Sequence, residues 1–457
     1  MINIRKSKYP YRCLARMIVE AATPLAIGSG DESILTDRLV VRDINGLPFL
    51  PGTSIAGVMR HSLAEEDPAL TEKIFGFQKK QKTQGSVLTI SEGKIMASDG
   101  VTVVDGILSE PLPATSYYNL LQEGIVRQHA RIGHKGATVK HGKFDEEVVP
   151  KGARFCFEVE MLASDGQEID SFKHIMEMLG YADFRLGGGT RNGFGQIQMV
   201  NARIAIVDLR KEDERNAYLT KSSDLNESSR WSMWKDISIE SRSERYDTYT
   251  LSLQPLDFFH FGSGMGDGES DAAPLKEQFI DWTDDQKASV KQTYKILPAS
   301  SLKGVLSHRT AYHYNKLKGI FANDNNDAIA SDNQAVRNLF GCSGEGNDEK
   351  RQRGKVLFSD LIQYENLTTK PFNHVAISQF TGGALQGKLY NENTIVGREL
   401  KFEISILVPK EGLDKEAVES FEKAMRDVCE SRLPLGGMTN RGHGLFKGVL
   451  MKNDVQL

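Results

Sequence analysis

Leu50-Pro-Gly-Thr-Ser-Ile-Ala-Gly57 returns as Leu297-Pro-Ala-Ser-Ser-Leu-Lys-Gly304, 247 positions further on. Each copy runs into an apolar helical stretch with a basic end, Arg60-His61 in one and His308-Arg309 in the other. Outward from this pair, His129-Ala-Arg-Ile132 returns as His374-Val-Ala-Ile377 at an offset of 245. Phe184-Arg-Leu-Gly-Gly-Gly-Thr-Arg191 returns as Leu433-Pro-Leu-Gly-Gly-Met-Thr-Asn440 at 249. Ile74-Phe-Gly76 matches Leu339-Phe-Gly341 at 265, which implies extra residues before it in the second copy. Matches in one order at nearly constant offsets identify a tandem duplication. Residues 1–207 read as the first module and 248–457 as the second, while 208–247 is charged, Ser-rich and weakly periodic, as a linker would be.

Within each copy, Leu14 to Val19 and Tyr249 to Leu253 predict an opening strand. The Leu-Pro motif predicts a helix start, with Ser54 or Ser301 placed to cap it. Strand-like runs follow at Gly85 to Ile90 and Gly354 to Ile362, then at Phe155 to Leu162 and Leu400 to Leu407. Amphipathic helices are expected around Ile169 to Tyr181 and Asp414 to Ser431. This order predicts an α+β chain: two tandem ferredoxin-like (RRM-like) split βαβ modules with large loop insertions.

A length of 457 residues agrees with two domains. The formal net charge of -4 excludes a globally basic coat but leaves room for a local basic groove. Cys13, Cys156, Cys342 and Cys429 form no CxxC pair, which speaks against zinc modules and a disulfide framework. No apolar stretch reaches membrane-spanning length, so a cytoplasmic protein without membrane association is expected.

The Gly-rich segments Gly187 to Gly195 and Gly436 to Gly444 lack the Gly-Lys-[Ser/Thr] ending of a P-loop, which argues against a nucleoside triphosphatase. Gly188, Gly189, Gly436 and Gly437 offer bare amides beside Arg191 and Arg441, suited either to a tight turn or to a sugar-phosphate chain. The helix starts at Ser54 and Ser301 are further anion candidates, a reading that Arg60, Lys303 and Arg309 favour. His129, His134, His141 and Cys156 are not at compact zinc spacing.

The ordered set Ile27-Gly-Ser-Gly30, Leu47 to Gly57, His129 to Ile132, Glu147-Val-Val-Pro-Lys-Gly152 and Leu186 to Gly195 resembles the backbone subunits of type III CRISPR-Cas complexes, members of the RAMP superfamily. The second half carries a divergent set: Phe261-Gly-Ser-Gly264, Leu297 to Gly304, His374 to Ala384 and Leu435 to Gly444. A duplicated subunit is most similar to the fused subunits of the type III-D branch. The resemblance implies guide RNA (crRNA) and target RNA as ligands, other type III effector subunits as partners, and a thumb in each module that pushes through the guide-target duplex. The thumbs are expected after His129 and His374, which join the RNA-contacting set, near 138–146 and 386–394. The resemblance also implies a loop aspartate that promotes target cleavage, and Asp37 stands at that position. In the longer loop of the second half Asp271 is preferred, with Asp267, Asp281 and Asp284 as competitors. Each aspartate could hold a hydrated divalent cation, Mg²⁺ or another, or help remove the 2′-hydroxyl proton. A non-catalytic guide-RNA scaffold and a precursor guide-RNA processing nuclease are the alternatives.

Overall fold

The computed structural model describes residues 7–34, 36–79, 82–133, 136–264, 266–282, 287–293, 295–321, 333–342, 351–363, 367–397 and 400–457. The first module runs β1 (Tyr11–Ala21), α1 (Gly52–Glu66), β2 (Leu88–Ile90), β3 (Ile125–Ile132), β4 (Thr138–Val148), β5 (Arg154–Ala163), α2 (Gly166–Glu177) and β6 (Ile197–Asp208). Its sheet is antiparallel in the order β6-β1-β5-β2. With one helix after the first sheet strand and another after the third, this is the ferredoxin-like arrangement. Alternate residues of β1 (Cys13, Ala15, Met17, Val19) point at Ile55, Met59 and Leu63 of α1 and at Phe172 and Ile175 of α2. Burying one such large side chain is worth about 1.5–3 kcal/mol.

Of residues 208–247, expected to be a linker, 208–237 are folded onto this module, and Tyr246 and Asp247 already belong to the first strand of the second. The folded stretch forms α3 (Glu212–Leu219), α4 (Leu225–Ser228) and β7 (Lys235–Ile237), and β7 pairs with β6. Tyr218, Trp231 and Trp234 pack on Leu14, Ala205 and Val207, the face of the sheet opposite the helices. Three aromatic anchors at irregular spacing do this without any periodic pattern, which is why the stretch reads as a linker. The same cover buries Arg16 and Glu158, whose ion pair of 3.2 Å is completed by Lys221 at 2.6 Å.

The second module repeats the plan with β8 (Tyr246–Pro255), α5 (Ala299–Lys318), β9 (Thr368–Ile377), β10 (Ala384–Val396), β11 (Phe402–Pro409), α6 (Lys415–Cys429) and β12 (Phe446–Lys452). The sheet order is β11-β8-β12. Leu357 stands in for the missing second strand, exchanging bonds of 2.9 and 3.0 Å with Leu407. Helix α6 buries Ala417, Phe421, Ala424, Met425 and Val428, one face at helical spacing.

The helix starts differ from expectation. Pro51 and Pro298 occupy the cap positions of α1 and α5, neither helix has a side-chain cap, and Ser54 and Ser301 lie inside the first turn. Proline has its φ preset and no amide proton to satisfy, so it starts a helix without a hydroxyl cap. The stretches expected to be thumbs fall on the hairpins β3-β4 and β9-β10. Both hairpins begin before His129 and His374, and the stretches 138–146 and 386–394 lie in their returning strands.

Candidate nucleic-acid interface

Asp37 and Asp271 stand in matching places beside the two hairpins. Asp37 is exposed, and its Oδ2 accepts the Asp145 amide of β4 at 2.9 Å. Asp271 is exposed, and its Oδ2 accepts the Asn391 amide of β10 at 2.9 Å. The next residue bridges in parallel to the next hairpin residue in both cases, Arg38 to Glu146 and Ala272 to Glu392. Of the competitors, Asp267 is tied to Lys276 at 2.9 Å, which holds its carboxyl well below the usual range, and Asp281 pairs with Lys291. Asp284 lies outside the described residues.

His129 and His374 sit on the first strands of the hairpins, each stacked on an aromatic ring of the second strand: Phe144 at 4.8 Å and Tyr390 at 4.9 Å. Behind each stands a buried glutamate, with His129 Nε2 2.9 Å from Glu146 and His374 Nε2 3.2 Å from Glu392. A guanidinium covers each ring, Arg38 over Phe144 at 5.2 Å and Arg441 over Tyr390 at 5.1 Å. The two cations come from different parts of their modules. Arg38 follows the loop aspartate, whereas Arg441 belongs to the second Gly-rich segment.

The two Gly-rich segments share a local geometry and differ in surroundings. Gly188 and Gly437 donate backbone amides to Ala26 and His260, at 2.6 and 2.7 Å. Gly189 and Gly436 have φ of 63° and 90°, as the tight-turn reading expects, while the Gly188 and Gly437 amides are not bare. Gly193 (φ 107°) lies against the start of α5, where a β-carbon would run into Ala299 and the Asp360 carboxylate. Its counterpart Gly442 (φ 88°), 249 positions on, has open space around it. The first segment is thus a docking element between the modules, whereas at the matching position of the second, Gly442, nothing among the described residues lies against the backbone.

That docking centres on an ion cluster with no signal in the motifs. Arg127 of β3 is buried, donates through Nε and Nη2 to Glu277 at 2.8 and 2.9 Å, and also pairs with Asp360. Burial alone would lower the Arg127 pKa, but Asp360 and Glu277 outweigh it and hold the guanidinium protonated. Asp360 also accepts the Ala299 amide at 2.8 Å, so the anion position at the start of α5, beside Ser301, is taken by the protein's own carboxylate.

The remaining candidates divide. Ser54 and Arg191 line the cleft between the modules, and Lys303 joins Arg191 through Asn192 at 2.9 Å. Arg309 is drawn into the packing of α5 on α6 by Asp427, at 2.5 Å. Arg60 is exposed on α1, outside the residues that line the cleft. No group of three or more His, Cys, Asp or Glu side chains able to hold a metal ion occurs among the described residues, and His134 lies outside them. Asp37 and Asp271 are exposed carboxylates outside any such group. Among the described residues no helix is long and apolar enough to cross a membrane. Arg127, Arg185, Arg353 and the two hairpin glutamates went unread in the sequence. Only the glutamates carried a signal there, since Glu146 and Glu392 recur at an offset of 246.

A family model described as the RAMP superfamily matches residues 18–198 and 258–447. The chain is 28% identical over 234 residues, 46% of its length and 87% of the relative's, to a protein of Methanocaldococcus jannaschii named CRISPR system Cms endoribonuclease Csm3. A protein of the same name from Methanothermobacter thermautotrophicus is 24% identical over 200 residues, 40% of this chain and 81% of the relative.

Proposed function

Because the chain belongs to the RAMP superfamily, whose model covers both modules, we propose that it is a backbone subunit of a type III CRISPR effector complex that holds guide RNA and cuts complementary target RNA. The observation that carries the reading is the twofold occurrence of one arrangement: an exposed carboxylate tied to the second strand of a thumb hairpin, at Asp37 and at Asp271. The endoribonuclease names of two relatives support cutting, and each relative matches a length close to one module.

In this reading the thumbs splay the target strand and the aspartates act on its backbone. RNA is cut by its own 2′-hydroxyl, which needs in-line geometry and removal of a proton. Only Oδ2 of Asp37 and of Asp271 is engaged among the described residues, so Oδ1 is the atom proposed to take that proton. A hydrated divalent cation such as Mg²⁺, met by the same carboxylate, would offset charge on the scissile phosphate. Arg38 and Arg441 are proposed to hold flanking phosphates. Other effector subunits are the expected partners, since docking of the first Gly-rich segment inside the chain leaves the second one exposed at its far end.

The test is to map cut positions made by the assembled, guide-loaded complex. Asp37→Ala and Asp271→Ala are each expected to remove a different subset of cuts by about 10²-fold or more, with target affinity retained. Cutting retained at every position in the double variant would sink the catalytic reading and leave the scaffold one.

A further inference from the structure

The junction between the modules gathers positive side chains from both of them. A cleft of about 410 Å³ is lined by Thr53, Ser54 and His61 of α1, by Arg185 and Arg191 around the first Gly-rich segment, and by Arg353 of the second module. Arg185 is 3% exposed. It donates only to neutral oxygens, those of Thr190 (3.0 Å), Phe358 and Ser359 (2.9 Å), and its Nε has no partner. Arg191 donates Nε to the Gly354 carbonyl at 2.7 Å, and its Nη1 is buried without a partner. Lys303 reaches only the Asn192 amide oxygen, and Arg353 lies 3.2 Å from His61 Nε2. Among the described residues none of these four cations is in an ion pair. Of the carboxylates lining the cleft, Asp183 is engaged by Arg245 at 2.9 Å, and Glu65 by Arg245 at 3.5 Å and by His61 of the cleft itself at 3.3 Å.

Arg185 is buried and Arg191 half-buried, and a desolvated cation with an orphaned N–H group is costly unless something meets it. The burden is visible in their acidity. Burial, then Arg191 alongside, brings Lys303 down to about 8, and burial, then Arg353, brings Arg191 to about 10. The start of α1 adds the positive end of a helix that carries no side-chain cap.

We propose that this cleft is a phosphate-binding site assembled from both modules, with Arg185, Arg191 and Arg353 as the guanidinium donors. Several oxygens bearing delocalised charge match converging guanidinium forks in a way that a single carboxylate does not. The source of the phosphate rests on the function proposed above. On that reading it is a backbone phosphate of the guide strand where it passes from one module to the next.

Two probes on the full chain separate the site from the reading: inorganic pyrophosphate, followed by calorimetry and thermal shift, and a single-stranded RNA of about 20 nucleotides, titrated with salt. The variants are Arg191→Gln with Arg353→Gln, and Arg191→Lys as the conservative change. Arg185 is left intact because it carries bonds across the junction. Wild type is expected to bind pyrophosphate and rise in melting temperature. The double Gln variant is expected to lose about tenfold or more in affinity, and Arg191→Lys to keep most of it. For RNA, the slope of log affinity against log salt should shrink by about 0.7 for each phosphate that the variant no longer neutralises. A ligand-induced shift is a readout that a merely structural role would not move. RNA bound equally by wild type and double variant, with pyrophosphate ignored by both, overturns the site and leaves the RNA reading standing. Arginine-dependent pyrophosphate binding without RNA binding keeps the site and overturns the guide strand as its source. Undiminished binding of both ligands by the double variant overturns the site outright.

Discussion

Arg127 faces two carboxylates at once, so the charge at the centre of the junction is unbalanced until one of them takes a proton. Of the two, Glu277 is the one whose pKa is raised above the ordinary carboxylate range, by burial and then by the neighbouring Asp360, against the pull of Arg127. A carboxylic acid with a raised folded-state pKa stabilises the fold fully below its unfolded value of about 4.3. That contribution is lost as pH climbs through the higher folded value. Denaturant unfolding of wild type is therefore expected to show the junction weakening from the acid side towards neutrality. Glu277→Gln, which keeps shape and a donor, should flatten this dependence and cost little at pH 7. Arg127→Met leaves two buried carboxylates facing each other and should cost about 3–5 kcal/mol at pH 7. If Glu277→Gln proves as damaging as Arg127→Met, the proton assignment is wrong.

At the scale of elements, what could be read in the sequence was what the duplication repeats. The Leu-Pro helix starts, the outer strands and α6 follow from apolar spacing and from the matched motifs, and the structure has them within a few residues. Three things did not follow. The run expected from Gly354 to Ile362 is split in the second module: Leu357 bridges Leu407 in the sheet, while Leu361–Gln363 pairs instead with Lys295–Leu297. The guanidinium over each hairpin ring comes from Arg38 in one module and Arg441 in the other, so one physical role has no common alignment column. Arg127 meets Glu277 and Asp360 across 150 and 233 positions, a contact that no local pattern encodes. The folded stretch 208–237 is the instructive case, since its attachment depends on aromatic anchors rather than on period. Trp231 and Trp234 are half-buried, and their indole N–H groups donate to Ala217 and Ser228 at 2.9 and 2.8 Å. Replacing either with Ala should cost on the order of 2 kcal/mol, below the 3–5 typical of a fully buried aromatic. The effect should appear as faster hydrogen exchange confined to α3, α4 and the exposed face of β1 and β6. Unchanged exchange there would mean the stretch is a tether after all.

At the scale of the whole molecule, two modules of one plan meet through unlike surfaces: the first Gly-rich segment and hairpin strand β3 on one side, the start of α5 and its approach on the other. Such a head-to-tail contact does not close on itself, so the equivalent surface of the second module, around Gly442, remains open. Gly193 and Gly442 provide a matched pair for testing this, because both have positive φ and any side chain strains the backbone at either place. They differ in what a side chain would meet: Ala299 and Asp360 at Gly193, nothing within 4 Å at Gly442. Cutting the chain between Ser243 and Glu244 should give fragments that associate one to one in sedimentation, with no larger species formed by either fragment alone. Gly193→Val is expected to abolish that association, and Gly442→Val to leave it intact while adding a similar local strain. In the assembled effector complex the order should reverse in consequence: Gly442→Val should weaken attachment of the next subunit, whereas the uncut chain tolerates Gly193→Val better because its covalent link keeps the modules at high effective concentration. Equal losses from the two substitutions in the fragment assay would show that backbone strain, and not close approach at the junction, sets the contact.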